Sequence, residues 1–430
     1  MSTIEDQVRA ATRAAARTVT PGSTPPPPPL PPRQRRGPAA HPRRGRRWPG
    51  WAAPLAAAAA VAAAIATSVV VSGALSLGHA RRPAHTAAGR AGTVGLHAAP
   101  AAPAGLPAYD VALAPGPIAG QSTRALVRAT ATGAVLATVR PPQPYATFTG
   151  VTGAADDRAF VLAAQPGQQP TASGRVLIKF FLLRLDPAAG TARLTALPIP
   201  TVSGQWLQGA GIALSPAGGK LAVALSTGSQ SAIKVFDLAG GPVREWNAEL
   251  PGGTVVGTDL VGANALSWAA DGRTLAFDAW SPSRVEVHAL DTAAPGSSLS
   301  ASRLVMTFPH WATTGSVSGS AIITPDGTKI IAMEVPTPRT ATEIRVRQFS
   351  AATGRPLGIL AVLHYRKGAI TGWPGVLWSN PSGSQLIIST TRLTAAPSKN
   401  GDLTPEEIGT VSGGRFLPLP GIPGGQRPVW

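Results

Sequence analysis

The chain of 430 residues has no cysteine, and only three methionines and three tyrosines. No disulfide, thiolate nucleophile or Cys-ligated metal is therefore available, and an exported domain of this sequence must hold together by packing and closure. Familiar catalytic signatures are missing too. There is no G-x-S-x-G elbow, no H-E-x-x-H, no Gly-rich phosphate loop followed by Lys and Ser or Thr, and no histidine pair at metal-ligand spacing. Lysine is scarce, with six residues against 32 arginines, while Ala, Gly and Pro abound. This looks like the codon bias of a GC-rich genome, and it removes alanine content as a helix signal.

Charge is absent altogether from Ala52 to Leu77, a stretch of twenty-six residues. As a helix rising about 1.5 Å per residue it spans roughly 39 Å, more than the hydrocarbon core of about 30 Å. A soluble helix of this length needs a polar face, and this one has none. A cleaved signal peptide ending near Ser72-Gly73-Ala74 is the rival reading. The run exceeds the usual apolar core of such peptides and follows a tail of some fifty residues, so 52–77 is read as an uncleaved transmembrane helix. Arg33, Arg35, Arg36, Arg43, Arg44, Arg46 and Arg47 precede it, against Arg81, Arg82 and Arg90 after it. The richer flank stays inside, which places the N-terminus in the cytoplasm and the large C-terminal part outside the cell. Trp48 and Trp51 stand where interfacial aromatics anchor the inner end.

The net charge of +18 is concentrated in the tail: residues 1–50 carry ten Arg against Glu5 and Asp6. Beside an anionic inner leaflet each basic group is worth about 1 kcal/mol, so Arg33 to Arg47 are matched to membrane lipid and not to nucleic acid. Residues 1–20 have helical spacing of Ile4, Val8, Ala11 and Ala15 and a ridge of Arg9, Arg13 and Arg17. They read as a short amphipathic helix open to a cytoplasmic partner or to solvent. Residues 21–51 are a disordered Pro/Arg-rich linker, stiffened by Pro25 to Pro29. Residues 78–107, rich in Ala, Gly and Pro, read as a flexible stalk in which no fold starts.

From residue 108 the pattern changes to short β-prone runs between turn signals, and it repeats. GIALSPAGGKLAVAL from Gly211, ALSWAADGRTLAFDA from Ala265, AIITPDGTKIIAMEV from Ala321 and VLWSNPSGSQLIIST from Val376 are each strand, tight turn, strand. The turn glycines Gly218, Gly272, Gly327 and Gly383 lie 54, 55 and 56 residues apart. A degraded copy from Phe148 has Asp156-Asp157-Arg158 at its turn. A second hairpin type interleaves, at Leu126, Leu182, Val235, Val287 and Val346. Two hairpins per period of about 55 residues make the four-stranded blade of a β-propeller. The repeats resemble the Pro-Asp-Gly propeller repeats of TolB-like proteins, most clearly at Thr324 to Gly327 and Ala269 to Gly272, with departures at Ala217 and Ser382. That resemblance implies the fold and no activity.

The expected fold is all-β. Five complete blades begin near Phe148, Gly211, Ala265, Gly319 and Gly375, and Tyr109 to Arg140 supplies part of a sixth. Joining Arg427 to Trp430 to those strands completes a six-bladed ring closed by both termini and leaves no open edge.

The repeated turns lie on one face of such a ring and the long, irregular connections on the other. These are Gln165 to Arg175, Pro198 to Gly209, Pro251 to Gly262, Phe308 to Ser318, His364 to Gly375 and Thr391 to Glu407. Loops on a rigid scaffold commonly carry binding residues. The candidate binding face comprises Tyr145, Trp206, Trp311, Tyr365, Trp373, Asp402, Glu406 and Glu407; the aromatics divide between ligand contact and packing between blades. The acidic cluster lacks the alternation of a calcium loop, so no metal, cofactor or catalytic residue is assigned. Three functions stay open. The first is a membrane-anchored outer propeller that binds a protein, peptide or cell-wall ligand without chemistry. The second is a signalling protein whose layout resembles membrane-bound regulators of extracytoplasmic-function sigma factors, without their His/Cys zinc motif. The third is a propeller hydrolase or lactonase.

Overall fold

The computed structural model describes residues 92–114, 122–167, 175–205, 211–227, 230–249, 255–256, 266–280, 284–296, 298–309, 317–318, 321–335, 343–364, 375–391, 406–421 and 428–430. The amphipathic segment, the linker and the apolar run 52–77 lie outside these residues. Among the described residues no helix is long and apolar enough to cross a membrane, and all regular structure is β apart from one short 3-10 turn, Leu299–Ala301.

Strand β1 is Gly92–Gly95; β2 (Tyr109–Leu113), β3 (Ala125–Ala129) and β4 (Val135–Val139) follow it. Blade 1 is β5 (Tyr145–Gly153), β6 (Ala159–Pro166), β7 (Arg175–Asp186) and β8 (Thr191–Ala196), with the short β9 (Val202–Gln205) paired to β7. Blade 2 is β10 (Ile212–Leu214), β11 (Lys220–Thr227), β12 (Gln230–Asp237) and β13 (Arg244–Glu249). Blade 3 has a split inner strand, β14 (Val255–Val256) and β15 (Leu266–Trp268), then β16 (Thr274–Trp280), β17 (Arg284–Asp291) and β18 (Arg303–Pro309). Blade 4 repeats the split with β19 (Val317–Ser318) and β20 (Ile322–Ile323), then β21 (Lys329–Val335), β22 (Glu343–Ser350) and β23 (Pro356–His364). Blade 5 is β24 (Gly375–Ser379), β25 (Gln385–Thr391), β26 (Glu406–Ser412) and β27 (Arg415–Pro418). The last strand, β28 (Pro428–Val429), returns to pair with β2, so that blade 6 is β28-β2-β3-β4.

The innermost strands β5, β10, β15, β20, β24 and β28 neighbour one another in cyclic order, which closes the ring. The expected six blades and the closure by both ends of the domain are therefore present. Alternation along each strand sends one set of side chains to the preceding blade and the other to the following blade. As a result, the buried apolar side chains fall into six clusters, one per seam. The seam between blades 6 and 1 is the thickest, with nineteen buried residues including Val111, Phe148, Phe160 and Phe181. Among the described residues the seam between blades 5 and 6 has four, Leu377, Ile387, Ile408 and Trp430, and it is here that the ring closes.

The stretch read as stalk needs correction. β1 adds a fifth strand to the outer edge of blade 1, pairing antiparallel with β8 from Gly92↔Leu194 to Gly95↔Thr191. The chain then runs to blade 6, where His97 N donates to Leu136 O at 3.1 Å, and on to Leu106, which packs in the seam with blade 5. Edge pairing of this kind is made by backbone groups. It needs no apolar pattern, which is why Gly-Thr-Val-Gly carried no strand signal.

Candidate functional site

The turn face is built from the repeated glycines and aspartates, and its polar groups are committed to the ring. Gly218, Gly272, Gly327 and Gly383 all have φ between +57° and +73°, the conformation that demands glycine in these turns. Asp271 Oδ1 accepts from the backbone N of Arg273 and of Thr274, both at 2.8 Å, and Asp326 Oδ1 from Thr328 N at 3.0 Å. Asp156 Oδ1 does the same for Arg158 and Ala159. These aspartates hold turns, as their spacing implied. Neighbouring turns also lock together. Ala155 N donates to Pro216 O at 3.1 Å and Asp326 N to Pro381 O at 3.3 Å, while Lys220 Nζ donates to Gly272 O and Lys329 Nζ to Ser382 O, both lysine bonds at 2.8 Å.

Asp157 departs from the repeat. It occupies the glycine position with φ 51°, the one non-glycine residue at positive φ among the described residues. Its carboxylate accepts the backbone N–H groups of Ala108 and Tyr109, at the entry to β2. Blade 6 has no covalent turn between its first two strands, because they come from opposite ends of the domain. The Asp157 carboxylate supplies from blade 1 part of what that turn would have held. Burial pushes its pKa up, against the lowering effect of those two N–H groups.

Of the residues expected on the opposite face, Trp206, Trp311, Tyr365, Trp373 and Asp402 lie outside the described residues. Tyr145 starts β5, half-buried, with its ring edge-on to Phe181 at 5.3 Å. Burial raises its hydroxyl pKa. Glu406 and Glu407 begin β26, opposite Thr391 and Thr390, with the Glu407 side chain half-buried. The structure thus places Tyr145 in blade 1 and the two glutamates in blade 5, and it does not bring the three into one described cluster.

Two buried acids went unnoticed in the sequence reading, although each is a lone carboxylate inside an apolar strand, YDVAL and TLAFDAW. Asp110 pairs in register with Arg128, whose Nε donates to Asp110 Oδ1 at 2.8 Å; both residues are 1% exposed. At this rung the other five blades carry apolar pairs: Phe160 with Leu183, Leu221 with Phe236, Leu275 with Leu290, Ile330 with Phe349 and Leu386 with Val411. Burial pushes the Asp110 pKa up to about 6, and the Arg128 charge and hydrogen bond hold it from going further. Asp278 on β16 is fully enclosed. Its Oδ2 accepts from Ala321 N at 3.3 Å, its Oδ1 has no partner, and burial drives its pKa to about 8.

One Ser–His–acid set occurs between blades 2 and 3. His288 Nδ1 lies 3.0 Å from Ser302 Oγ and Nε2 lies 3.3 Å from Glu286 Oε2, with the imidazole stacked on Phe277. Ser302 Oγ, however, donates to Leu299 O at 2.6 Å, closing the 3-10 turn, and Glu286 is shared with Arg284 at 2.7 Å. A hydroxyl whose proton is given to a backbone carbonyl is not activated by its histidine, so the set acts as a local clasp. Among the described residues no group of three His, Cys, Asp or Glu side chains is placed to hold a metal ion.

No family model matches the chain, and no curated protein matches it. Solved structures with a similar fold include TolB from Acinetobacter baumannii, at 14% identity and a TM-score of 0.45, covering 75% of this chain and 66% of that one. A putative 6-phosphogluconolactonase from Bacteroides uniformis aligns at 10% identity and 0.39, over 75% of this chain and all of its own. Dipeptidyl peptidase 4 from Porphyromonas gingivalis aligns at 11% and 0.35, over 70% of this chain and 50% of its own. At such identities the likeness is one of propeller architecture and says nothing of ligand or chemistry.

Proposed function

We propose that the protein is a single-pass membrane protein whose propeller stands outside the cell and works by binding a protein, peptide or cell-wall ligand, without turnover. The observation that carries the binding reading is the division between the two faces. On the turn face, aspartates cap turns and lysines reach carbonyls of the next blade, so its polar groups are already engaged. The other face carries the connections of unequal length, where recognition on a rigid scaffold normally resides. The anchor reading rests on the uncharged run 52–77 and the arginine excess before it.

Proximity labelling or crosslinking from the propeller tests this, repeated with the connection 391–407 shortened and with residues 1–20 deleted. Loss of outer partners on shortening the connection supports binding outside. A cytoplasmic partner lost with residues 1–20 would make the chain a transmembrane signalling protein. Hydrolysis of a small ester or lactone by the full chain, abolished by one inner-strand substitution, would overturn the non-catalytic reading. Protease added to intact spheroplasts is expected to remove the part after residue 80 and spare the tail; protection of the large domain would reverse the orientation.

A further inference from the structure

Each blade ends in an outer strand whose free N–H and C=O groups can template a further strand, and folded proteins blunt such edges by shortness, charge, proline or a cover. Among the described residues, five of the six outer edges are blunted. β1 covers blade 1 and is itself four residues long with glycine at both ends. The β4 edge of blade 6 has five residues, and His97 N donates to Leu136 O on it at 3.1 Å. β13 begins with Arg244 and Glu245, β18 runs from Arg303 to Pro309, and β27 is four residues from Arg415 to Pro418.

The outer strand of blade 4 departs from this pattern. β23 reads PLGILAVLH, nine residues with proline only at the first position and no Arg, Lys, Asp or Glu. It is the longest of the outer edges, and among the described residues no strand pairs with its outer side. Its pairing with β22 shifts register between Val346 and Arg347 and again between Gln348 and Phe349, which leaves Leu360 and Leu357 without a direct partner on β22. Bulges of this kind re-aim side chains. Here Leu357 and Ile359 are 51% and 54% exposed, two large apolar groups side by side on an uncharged edge. Leu304 on β18 and Leu417 on β27 are exposed too, but each stands singly in a strand that carries arginine.

Charge and symmetry together indicate the occupant. A neutral edge is matched by a neutral strand, and among the described outer edges the one that is neutral, long and uncovered is β23 itself. Antiparallel pairing about a two-fold axis at Ile359 sets like against like: Ile359 meets its own copy, and Pro356 meets Val362 of the other copy. On β22 the partners of Pro356, Ile359 and Val362 are Phe349, Arg347 and Arg345, which alternate along the strand. All three therefore lie on one face of the sheet, as direct pairing requires. Leu357 then falls on the diagonal to the second Ile359, about 7–8 Å away and within reach of long side chains.

We propose that two copies of this chain associate through β23, edge to edge and antiparallel, so that their fourth blades form one continuous sheet. A contact confined to one strand from each copy is smaller than a standard interface, so the dimer is weak and concentration-dependent. The joint uses the outer edge of blade 4 and does not depend on what the long connections bind.

Because the chain has no cysteine, Ile359→Cys introduces a single thiol. Directly opposed antiparallel residues have Cα atoms about 4.5–5.5 Å apart, within the range of a disulfide. Mild oxidation of the full chain carrying Ile359→Cys is expected to give a covalent dimer, at a yield at least tenfold above that of Leu417→Cys, which places a thiol on the exposed edge of blade 5. Adding Leu357→Lys to Ile359→Cys is expected to cut the yield at least tenfold, because it puts two cations into a neutral joint. All three positions are more than half exposed, and each variant is expected to keep the wild-type urea midpoint. Equal yields from Ile359→Cys and Leu417→Cys, or a yield untouched by Leu357→Lys, would overturn the proposal. So would crosslinking of Ile359→Cys in cells to a different polypeptide with no homodimer, which would assign the edge to a foreign strand. The crosslinking experiment on the long connections reads another surface, so either reading can fail alone.

Discussion

Trp430 donates its indole N–H to Thr130 Oγ1 at 3.0 Å, joining positions 300 residues apart. The ring is buried among Leu377, Ile387 and Ile408 of blade 5 while its hydrogen bond goes to blade 6, so one side chain fastens the seam at which the ring closes. Trp268 occupies the matching place in blade 3 and donates to Ala213 O of blade 2 at 3.0 Å. Trp430→Ala is expected to cost about 3–5 kcal/mol, the range for deleting a buried aromatic. Removing residues 427–430 should cost more and broaden the urea transition. A truncated protein that unfolds at the wild-type midpoint would refute the role of this strand in closure.

The pair Asp110–Arg128 replaces an apolar rung. Asp110→Leu alone leaves a guanidinium in the seam without its carboxylate and is expected to destabilise by about 3–5 kcal/mol. The double change Asp110→Leu with Arg128→Leu restores the kind of pair seen at Leu275 and Leu290 and should recover most of that loss. A double variant as unstable as the single one would mean that the charge pair does more than fill the rung.

Asp278 ties stability to pH. Its folded pKa, about 8, lies above that of an unfolded aspartate, so the native state binds the proton more tightly. The resulting stability is fully present below about pH 4 and is lost as pH rises through 8, at up to about 1.4 kcal/mol per pH unit. Asp278→Asn cannot ionise. The difference in urea midpoint between variant and wild type is expected to grow in favour of the variant from pH 5 to pH 8 and then level off. A constant difference across that range would show that Asp278 does not titrate there.

Asp157→Gly sets two effects against each other. Glycine relieves the cost of a positive φ, about 1 kcal/mol, but removes the acceptor for Ala108 and Tyr109, worth about 1.5–3 kcal/mol for a charged acceptor. Net destabilisation of about 1 kcal/mol is expected, with faster amide exchange at Ala108 and Tyr109. Unchanged exchange at both amides would show that the carboxylate does not hold the start of β2.

Much of the architecture is legible in the amino-acid order because it is local. Glycine spacing marks the turns, strand length and alternation mark the hairpins, and Arg427 to Trp430 stands where a missing inner strand is due. Those signals depend on which φ a residue tolerates and which neighbours in the chain share a face. The candidate site is less legible. Of the predicted binding residues that are described, Tyr145 turns its ring to Phe181 in the seam between blades 6 and 1, while Glu406 and Glu407 share strand β26.

The sequence by itself therefore determined the blade count, the turn chemistry and the direction from which the ring closes. Tertiary structure alone decided that Gly92–Gly95 would join blade 1, that Asp157 would serve blade 6, and that Asp278 would accept from Ala321 of blade 4. The first of these is an edge pairing within one sheet, and the other two cross a seam between blades. The seam partner of a side chain is set by the stagger of one sheet against the next, and no periodicity within a single repeat encodes it.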